Sequence, residues 1–392
     1  MFIQMLPAVA SLLLTAGPGD TSGTLLMAAK RGEGWPAIGP LTRVDVSPGA
    51  EPFHLLVEQP RPRHVPQDPD VTEAVLASGG GCVVDIPPSP RSRLVLRDLS
   101  GRRSERIFET PNLSGSSWSA ATGKIAYGRT HSVQGSIHDA PFSYSEVHLL
   151  DVESGQDEVI GLGANPRLSK DGDWISFVLK RSLGVMRSDG SDRRLIGNGL
   201  RSLWSPKEPR ILYWRAGGAT RAAGEVRCLD LISGRDVEVA EGDALLVWGV
   251  QFSPDGTRVF MRRDGHIWSF AFADGILQQE TRGSGELLLA PSPDGTRLAF
   301  FRIGGTVDQP LRLLDLNTRE ERPLFTDPHP GAPPGRFLWS PDSRFIAFNL
   351  AAQVIVQGAD AELLLVDVEQ GRLSRLIEPG GCGPWFTWQS SP

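Results

Sequence analysis

Seven histidines are spread along the 392 residues, and three of them, His131, His138 and His148, form a cluster. The first two fall in the segment 130–146, beside Asp139, Tyr144 and Glu146. Imidazole next to carboxylate is the composition of a metal site or of a general base, and it is equally the composition of a polar surface loop. The usual catalytic frameworks do not accompany it. The chain has no G-x-S-x-G elbow, no G-x-G-x-x-G, no P-loop and no H-E-x-x-H. Asp171-Gly172-Asp173 and Asp189-Gly190-Ser191-Asp192 lack the further ligands of a calcium loop and read as turn aspartates. Cys82, Cys228 and Cys382 have no C-x-x-C or Cys/His spacing. The sequence therefore names no catalytic residue, no metal ligand and no cofactor.

A second set of residues points to binding. Six segments, IAYGR, ISFVLK, ILYWR, VFMRR, LAFFR and IAFNL, align as one kind of strand. Five of them end in a basic residue: Arg129, Lys180 (followed by Arg181), Arg215, Arg263 (preceded by Arg262) and Arg302; the sixth has Asn349. Cations at equivalent places around a concave mouth would focus field on an anionic ligand, and arginine grips carboxylate or phosphate with two parallel bonds. The alternative is that each arginine solvates a strand end or pairs with a neighbouring acid. His131, His138, Trp214, His329 and Trp385 fall close to the same strand ends or in the longer loops between them. Together with Arg129, Lys180, Arg215, Arg263 and Arg302 they make up the candidate ligand-binding rim.

The elements that would carry this rim repeat. Ser119, Ser169, Ser205, Ser253, Ser292 and Ser340 each follow an apolar or aromatic residue and precede a polar turn and an alternating apolar strand. Gln389 takes the serine place in a seventh copy, and the mean spacing over these six intervals is 45 residues. Downstream in each unit an apolar strand closes on an aspartate turn: Asp98, Asp151, Asp189, Asp230, Asp274, Asp315 and Asp367. Asp, Asn, Gly and Ser satisfy such turns with local side-chain bonds or positive φ. Four antiparallel strands, a to d, in about 45 residues make a propeller blade.

The fold class is thus an all-β propeller of four-stranded antiparallel blades. Seven blades are the expectation, and six or eight are admitted by the weak strand signals near the N-terminus. The seventh would take strand a from the C-terminus and strands b to d from residues 81–109, so that the two ends of the chain close the ring. That arrangement would bring Cys82 towards Cys382. Strand alternation puts the b–c and d–a loops on one rim and the aspartate turns on the other.

The Ser-Pro-Asp-Gly hairpins at Ser253 and Ser292, and Ser-Pro-Asp-Ser at Ser340, with the strands TRVF, TRLAF and RFIAF after them, resemble the WD-like repeat of TolB-type propellers. The resemblance runs from about residue 92 to the end. It implies the propeller fold and says little about function. The family it points to includes periplasmic TolB, surface-layer and other binding propellers, propellers that gate oligopeptidases, and some polysaccharide lyases that use His, Arg and a metal. No residue-by-residue match to the lyase pattern is present. Residues 24–70 are too short and Pro-rich for the α/β domain that precedes TolB propellers, and there is no room for a hydrolase domain.

Composition narrows the partners. Forty basic against 46 acidic residues give a net charge of −6, which argues against a general nucleic-acid surface. No apolar run reaches the roughly 18 residues of a spanning helix. Met5 to Ala16 is short enough to be a signal-peptide core, although no Lys or Arg precedes it. The chain divides into 1–23 (signal peptide or disordered extension), 24–70 (Pro-rich segment) and 71–392 (propeller). The expected function is a non-catalytic binding propeller, periplasmic or secreted, with a cytoplasmic site as the alternative. Its b–c/d–a rim would take a protein, peptide or small anionic ligand. A lyase or hydrolase acting on an anionic sugar or peptide is the competing reading, and an accessory subunit of a larger complex is a third.

Overall fold

The structure is a computed structural model. It describes residues 23–31, 37–46, 57–58, 73–77, 82–86, 93–98, 105–109, 113–119, 121–133, 142–198, 202–216, 224–242, 249–283, 285–302, 311–324, 334–351, 361–382 and 386–389, the strands before residue 115 by their backbone pairing. Among these residues there is no α-helix, and so none long and apolar enough to cross a membrane.

The described strands form eight antiparallel sheets of four strands each. The first blade is β1 (Gly23–Arg31), β2 (Ala37–Val46) and β3 (Val57–Glu58), completed by β32 (Phe386–Gln389). The second is β4 (Glu73–Ala77), β5 (Cys82–Ile86), β6 (Arg93–Asp98) and β7 (Glu105–Glu109). The third is β8 (Leu113–Ser119), β9 (Lys124–Val133), β10 (Phe142–Asp151) and β11 (Asp157–Leu162). β12 (Ala164–Leu168), β13 (Trp174–Leu179), β14 (Ser182–Arg187) and β15 (Arg194–Gly197) make the fourth, and β16 (Ser202–Trp204), β17 (Arg210–Ala216), β18 (Gly224–Asp230) and β19 (Asp236–Gly242) the fifth. The sixth holds β20 (Gln251–Phe252), β21 (Arg258–Arg263), β22 (His266–Ala271) and β23 (Leu277–Gln279). The seventh holds β24 (Glu286–Pro291), β25 (Arg297–Arg302), β26 (Leu311–Asp315) and β27 (Glu321–Pro323). The eighth holds β28 (Pro334–Trp339), β29 (Phe345–Ala351), β30 (Ala361–Asp367) and β31 (Arg372–Cys382).

The two ends of the chain do share one sheet, but with different partners from those expected. β32 pairs with β1, Leu25 opposite Trp388. Residues 82–109 instead belong to a blade with its own strand a, β4. Among the described residues the four-stranded sheets therefore number eight, one more than the expectation and within the range the sequence admits. Strands β1, β2 and β4 carry none of the Ser-Pro-Asp-Gly punctuation, and the four residues between β4 and β5 are Ser78-Gly79-Gly80-Gly81. The closure that would have joined the cysteines is also different. Cys82 pairs with Ala77 and Asp98 in the second blade, and Cys382 with Ala361 in the eighth. The side chains of Cys82 and Cys382 are not among those described, so a bond between them falls outside what the structure describes. Cys228 is a buried free thiol, pushed up to about 12 by burial, which makes it inert.

The serine hairpins have a local cause. Ser253 Oγ donates to Asp255 Oδ1 at 2.6 Å and accepts from the Arg258 amide at 2.9 Å, and Asp255 Oδ1 accepts from the Thr257 amide at 3.0 Å. Ser292 with Asp294 and Ser340 with Asp342 repeat the arrangement. The fourth turn residue sits at positive φ, as Gly256 (74°), Gly295 (75°) and, at a steric cost glycine avoids, Ser343 (61°). Between the fifth and sixth blades the core is apolar: Leu212, Val226 and Val239 of the fifth pack on Phe252, Val259 and Met261 of the sixth. Burial of apolar area at such seams, worth roughly 25 cal/mol per Å², favours the packed blades.

Candidate functional site

Cross-strand pairing places the rim residues in one recurring slot. On the third blade Tyr127, Arg129 and His131 of β9 stand opposite His148, Glu146 and Tyr144 of β10. Side chains two apart share a face, so these six form one ladder, buried at Tyr127 (1% exposed) and His148 (5%) and opening to solvent at Tyr144 (39%). Tyr127 stacks on His148 with ring centroids 4.8 Å apart, and His131 stacks on Tyr144 at 4.9 Å. Asp157, the first residue of β11, accepts from the Tyr127 hydroxyl at 2.5 Å and lies 3.3 Å from His148 Nδ1. His131 Nε2 is 2.8 Å from Glu146 Oε2, and His148 Nε2 is 3.8 Å from the same oxygen and has no hydrogen-bond partner. Burial opposes ionisation of Asp157, but the bonds from His148 and Tyr127 and the Arg129 charge hold its carboxyl below the usual range. Burial, with Asp157 beside it, pushes the Tyr127 hydroxyl well above the usual phenol range.

The fifth blade repeats the slot with different residues. Tyr213 stands opposite Arg227, and Arg215 opposite Glu225. The Tyr213 hydroxyl donates to Asp236 Oδ2 at 2.7 Å. Arg227 bridges both acids: Nε lies 3.1 Å from each Asp236 oxygen, and Nη1 3.0 Å from Glu225 Oε2. Arg215 closes the group by pairing with Glu225. Burial opposes the Glu225 charge, yet Arg227 and Arg215 keep its carboxyl below the usual range.

On the seventh blade Phe300 takes the tyrosine place opposite Arg312. Without a hydroxyl to satisfy it, Glu321 pairs with Arg312 and with Arg302 Nη1 at 2.6 Å. Arg302 Nη2 also lies 2.7 Å from Glu286, whose side chain is 0% exposed. Gly283 lies so close that a Cβ there would sit 2.3 Å from the guanidinium.

The ring of cations is therefore in large part a ring of ion pairs. Arg215 and Arg302 are engaged as described. Arg129 lies opposite Glu146 and its charge acts on Asp157. Among the described residues Arg263, 37% exposed, pairs with Asp264 at 3.4 Å and stands 5.8 Å over the Trp268 ring. Lys180 falls outside the slot. It and Arg181, at φ 49° and 67°, form the two-residue turn between β13 and β14, and Leu179 takes the place that arginine has elsewhere. Trp214 packs at the seam of the fifth and sixth blades rather than lining the rim alone. His131 lies within β9, not in a loop, because the β-favouring run Thr130–Val133 pairs with Phe142–Ser145. His138, His329 and Trp385 lie outside the described residues. Among the described residues no three His, Cys, Asp or Glu side chains are arranged to hold a metal ion.

Sequence reasoning missed the acids that occupy these arginines. For the strand-d acids alone a signal was present: a basic residue three before, and an acid six after, the aspartate that ends strand c. His148 and Asp157 flank Asp151 in this way, Arg227 and Asp236 flank Asp230, and Arg312 and Glu321 flank Asp315.

No known protein family and no curated protein matches the chain. Solved structures do. The crystal structure of the eukaryotic initiation factor is similar over 95% of this chain and 99% of that one, with a TM-score of 0.57 at 10% identity. TolB from Acinetobacter baumannii is similar over 79% of this chain and 66% of its own, with a TM-score of 0.41 at 17% identity. The periplasmic gluconolactonase of Pseudomonas aeruginosa is similar over 95% and 100%, with a TM-score of 0.44 at 16% identity. At such identities the likeness concerns the fold. The protein is a β-propeller of four-stranded antiparallel blades.

Proposed function

We propose that the protein is a non-catalytic binding propeller that presents its b–c/d–a rim to a protein or peptide. One observation carries the reading. The β9–β10 hairpin runs on for four residue pairs past Arg129 and Glu146, from Thr130–Ser145 to Val133–Phe142. It holds Val133 (37%), Phe142 (59%) and Tyr144 (39%) exposed at its end. Apolar side chains gathered on a projecting element mark contact surfaces. A small anionic ligand is less favoured, since acids already occupy Arg215 and Arg302. A periplasmic or secreted site of action belongs to the same proposal, and rests on the apolar run Met5 to Ala16.

The test is site-specific photo-crosslinking in the native host. A photoreactive residue at position 142 should capture a discrete partner. One at Ile276, exposed on the opposite rim, should not. Equal capture from both positions would refute the rim assignment. The competing reading, a lyase or hydrolase, draws on the bonding of His131 to Glu146 as a general-base pair. Turnover of uronate oligomers or peptides that is lost in His131→Ala would favour it.

A further inference from the structure

The slots of the third, fifth and seventh blades differ in charge. On the fifth, Arg215 and Arg227 stand against Glu225 and Asp236. On the seventh, Arg302 and Arg312 stand against Glu286 and Glu321. Each of these slots holds two guanidinium groups for two carboxylates (Glu238, 46% exposed at the margin of the fifth, lies 4.0 Å from Arg227). The third slot also has two carboxylates, Glu146 and Asp157, but a single guanidinium, Arg129. His148 stands where Arg227 and Arg312 stand. With that imidazole neutral, the third slot is one positive charge short.

The missing charge has a place at one atom. A carboxylate only accepts, so the bond between His148 Nδ1 and Asp157 at 3.3 Å puts the ring proton on Nδ1. Nε2 is then the lone-pair nitrogen. It is buried, has no hydrogen-bond partner and lies 3.8 Å from Glu146 Oε2. Two acceptors therefore face each other across that gap. A proton taken from solvent onto Nε2 makes them donor and acceptor. The ring then donates at both ends, to Asp157 and to Glu146, as Arg227 donates to Asp236 and Glu225.

Among the described residues, the titratable and charged groups around this ring are Tyr127, Arg129 and His131 of β9, Glu146 of β10 and Asp157 of β11. The two carboxylates attract a charge on the ring, and Arg129 repels it. His131 already bonds Glu146 Oε2 at 2.8 Å. A further proton on His131 would go to its other nitrogen and add no bond to Glu146. Glu146 also sits at the base of the projecting hairpin, four residue pairs from its end. His131, stacked on Tyr144 at 4.9 Å, ties the projecting part to that carboxylate.

We infer that His148 is a proton-operated latch: in mild acid its imidazolium joins Asp157 to Glu146, closes the third slot as arginine closes the fifth, and fixes the hairpin in the form that a partner binds more tightly. The inference rests on the rim being the partner surface. Fixing a contact surface beforehand raises affinity by lowering the ordering cost of binding. Imidazole is the side chain suited to this, since it exchanges its proton between about pH 5 and pH 8.

The test is amide hydrogen exchange of the full chain, read by mass spectrometry at about pH 7.5 and about pH 5.5 and corrected for the intrinsic effect of pH. Exchange in β9 and β10 should slow roughly fivefold on acidification, the weight of one added hydrogen bond, while β17 and β18 of the fifth blade stay level. His148→Arg should give the slow rate at both pH values. His148→Phe, which can stack on Tyr127 but takes no proton, should give the fast rate at both. Should it fail to fold, Glu146→Gln, which removes the charge that the imidazolium joins, should lose the response in its place. His131→Gln should keep the response. No response in the parent would overturn the latch, and so would a response that is lost in His131→Gln and kept in His148→Phe. Crosslinking from position 142, in host extract buffered at the same two pH values, should rise in acid. Slowed exchange with unchanged crosslinking would overturn the link to binding. Absence of crosslinking at both pH values would sink the rim reading itself, with the exchange rates still deciding the latch.

Discussion

On the third blade His148 meets Asp157 through one ring nitrogen at 3.3 Å, and its other nitrogen stops 3.8 Å short of Glu146. On the fifth, Arg227 occupies the same position and reaches both matching acids, Asp236 at 3.1 Å and Glu225 at 3.0 Å. The acids are in the same places, and the tyrosine hydroxyl bonds the strand-d aspartate in both blades. What differs is reach. A guanidinium fork spans two carboxylates, whereas an imidazole spans one and leaves the second free. On the third blade His131 takes that free carboxylate. The fifth-blade slot is thus a closed ion-pair group. The third-blade slot is an open ladder that continues to the solvent and ends in the projecting hairpin.

The seventh blade offers the strongest test that the slot is one recurring device. Arg302→Met leaves Glu286 buried without its cation and should cost about 3–5 kcal/mol, the usual penalty for orphaning a buried charge. Urea unfolding measures it. A loss below about 1 kcal/mol would mean that the pair is an exposed contact of little weight.

Exchanging residues between the two blades tests the comparison itself. Arg227→His should lose the bridge to Glu225 and cost about 2 kcal/mol, in the range of charge-assisted hydrogen bonds. His148→Arg should be tolerated and gain up to about 1 kcal/mol by closing on Glu146. Equal costs in both directions would show that the surroundings, not reach, decide. Tyr127→Phe and Tyr213→Phe should each cost about 1 kcal/mol, since each removes one hydrogen bond to a carboxylate that keeps another partner. A marked difference between these two would break the equivalence of the blades.

Legibility in the sequence followed how local each interaction is. The Ser253–Asp255–Arg258 hairpin is closed by atoms five residues apart, so its signature could be read and repeated along the chain. The first blade joins Gly23–Val46 to Phe386–Gln389 across the whole chain, with no turn signature to announce it. Lys180 aligns with the arginines by residue type, but a two-residue turn with both residues at positive φ places it one position beyond their slot. The acids at Glu225, Glu286 and Glu321 reach their arginines across strands. Their type was visible in the sequence but their partners were not.

The smallest expected effect is the acid limb of stability. The Asp157 carboxyl is held below its usual range in the folded protein, burial opposing and the bonds from His148 and Tyr127 prevailing. A group with a lowered folded value contributes stability that is present above its unfolded value, about pH 4, and is lost as pH falls through the folded value. Because Asp157 is 40% exposed, water and salt screen the contribution to below about 1 kcal/mol. Asp157→Asn should therefore lower the urea midpoint slightly at pH 7 and fall less steeply than the parent below pH 4. Asp157→Asn and the parent falling in parallel would place the acid sensitivity elsewhere. Were the slope instead steeper in the variant, the carboxyl would be one that the fold prefers protonated, and the third-blade slot would not be the counterpart of the fifth.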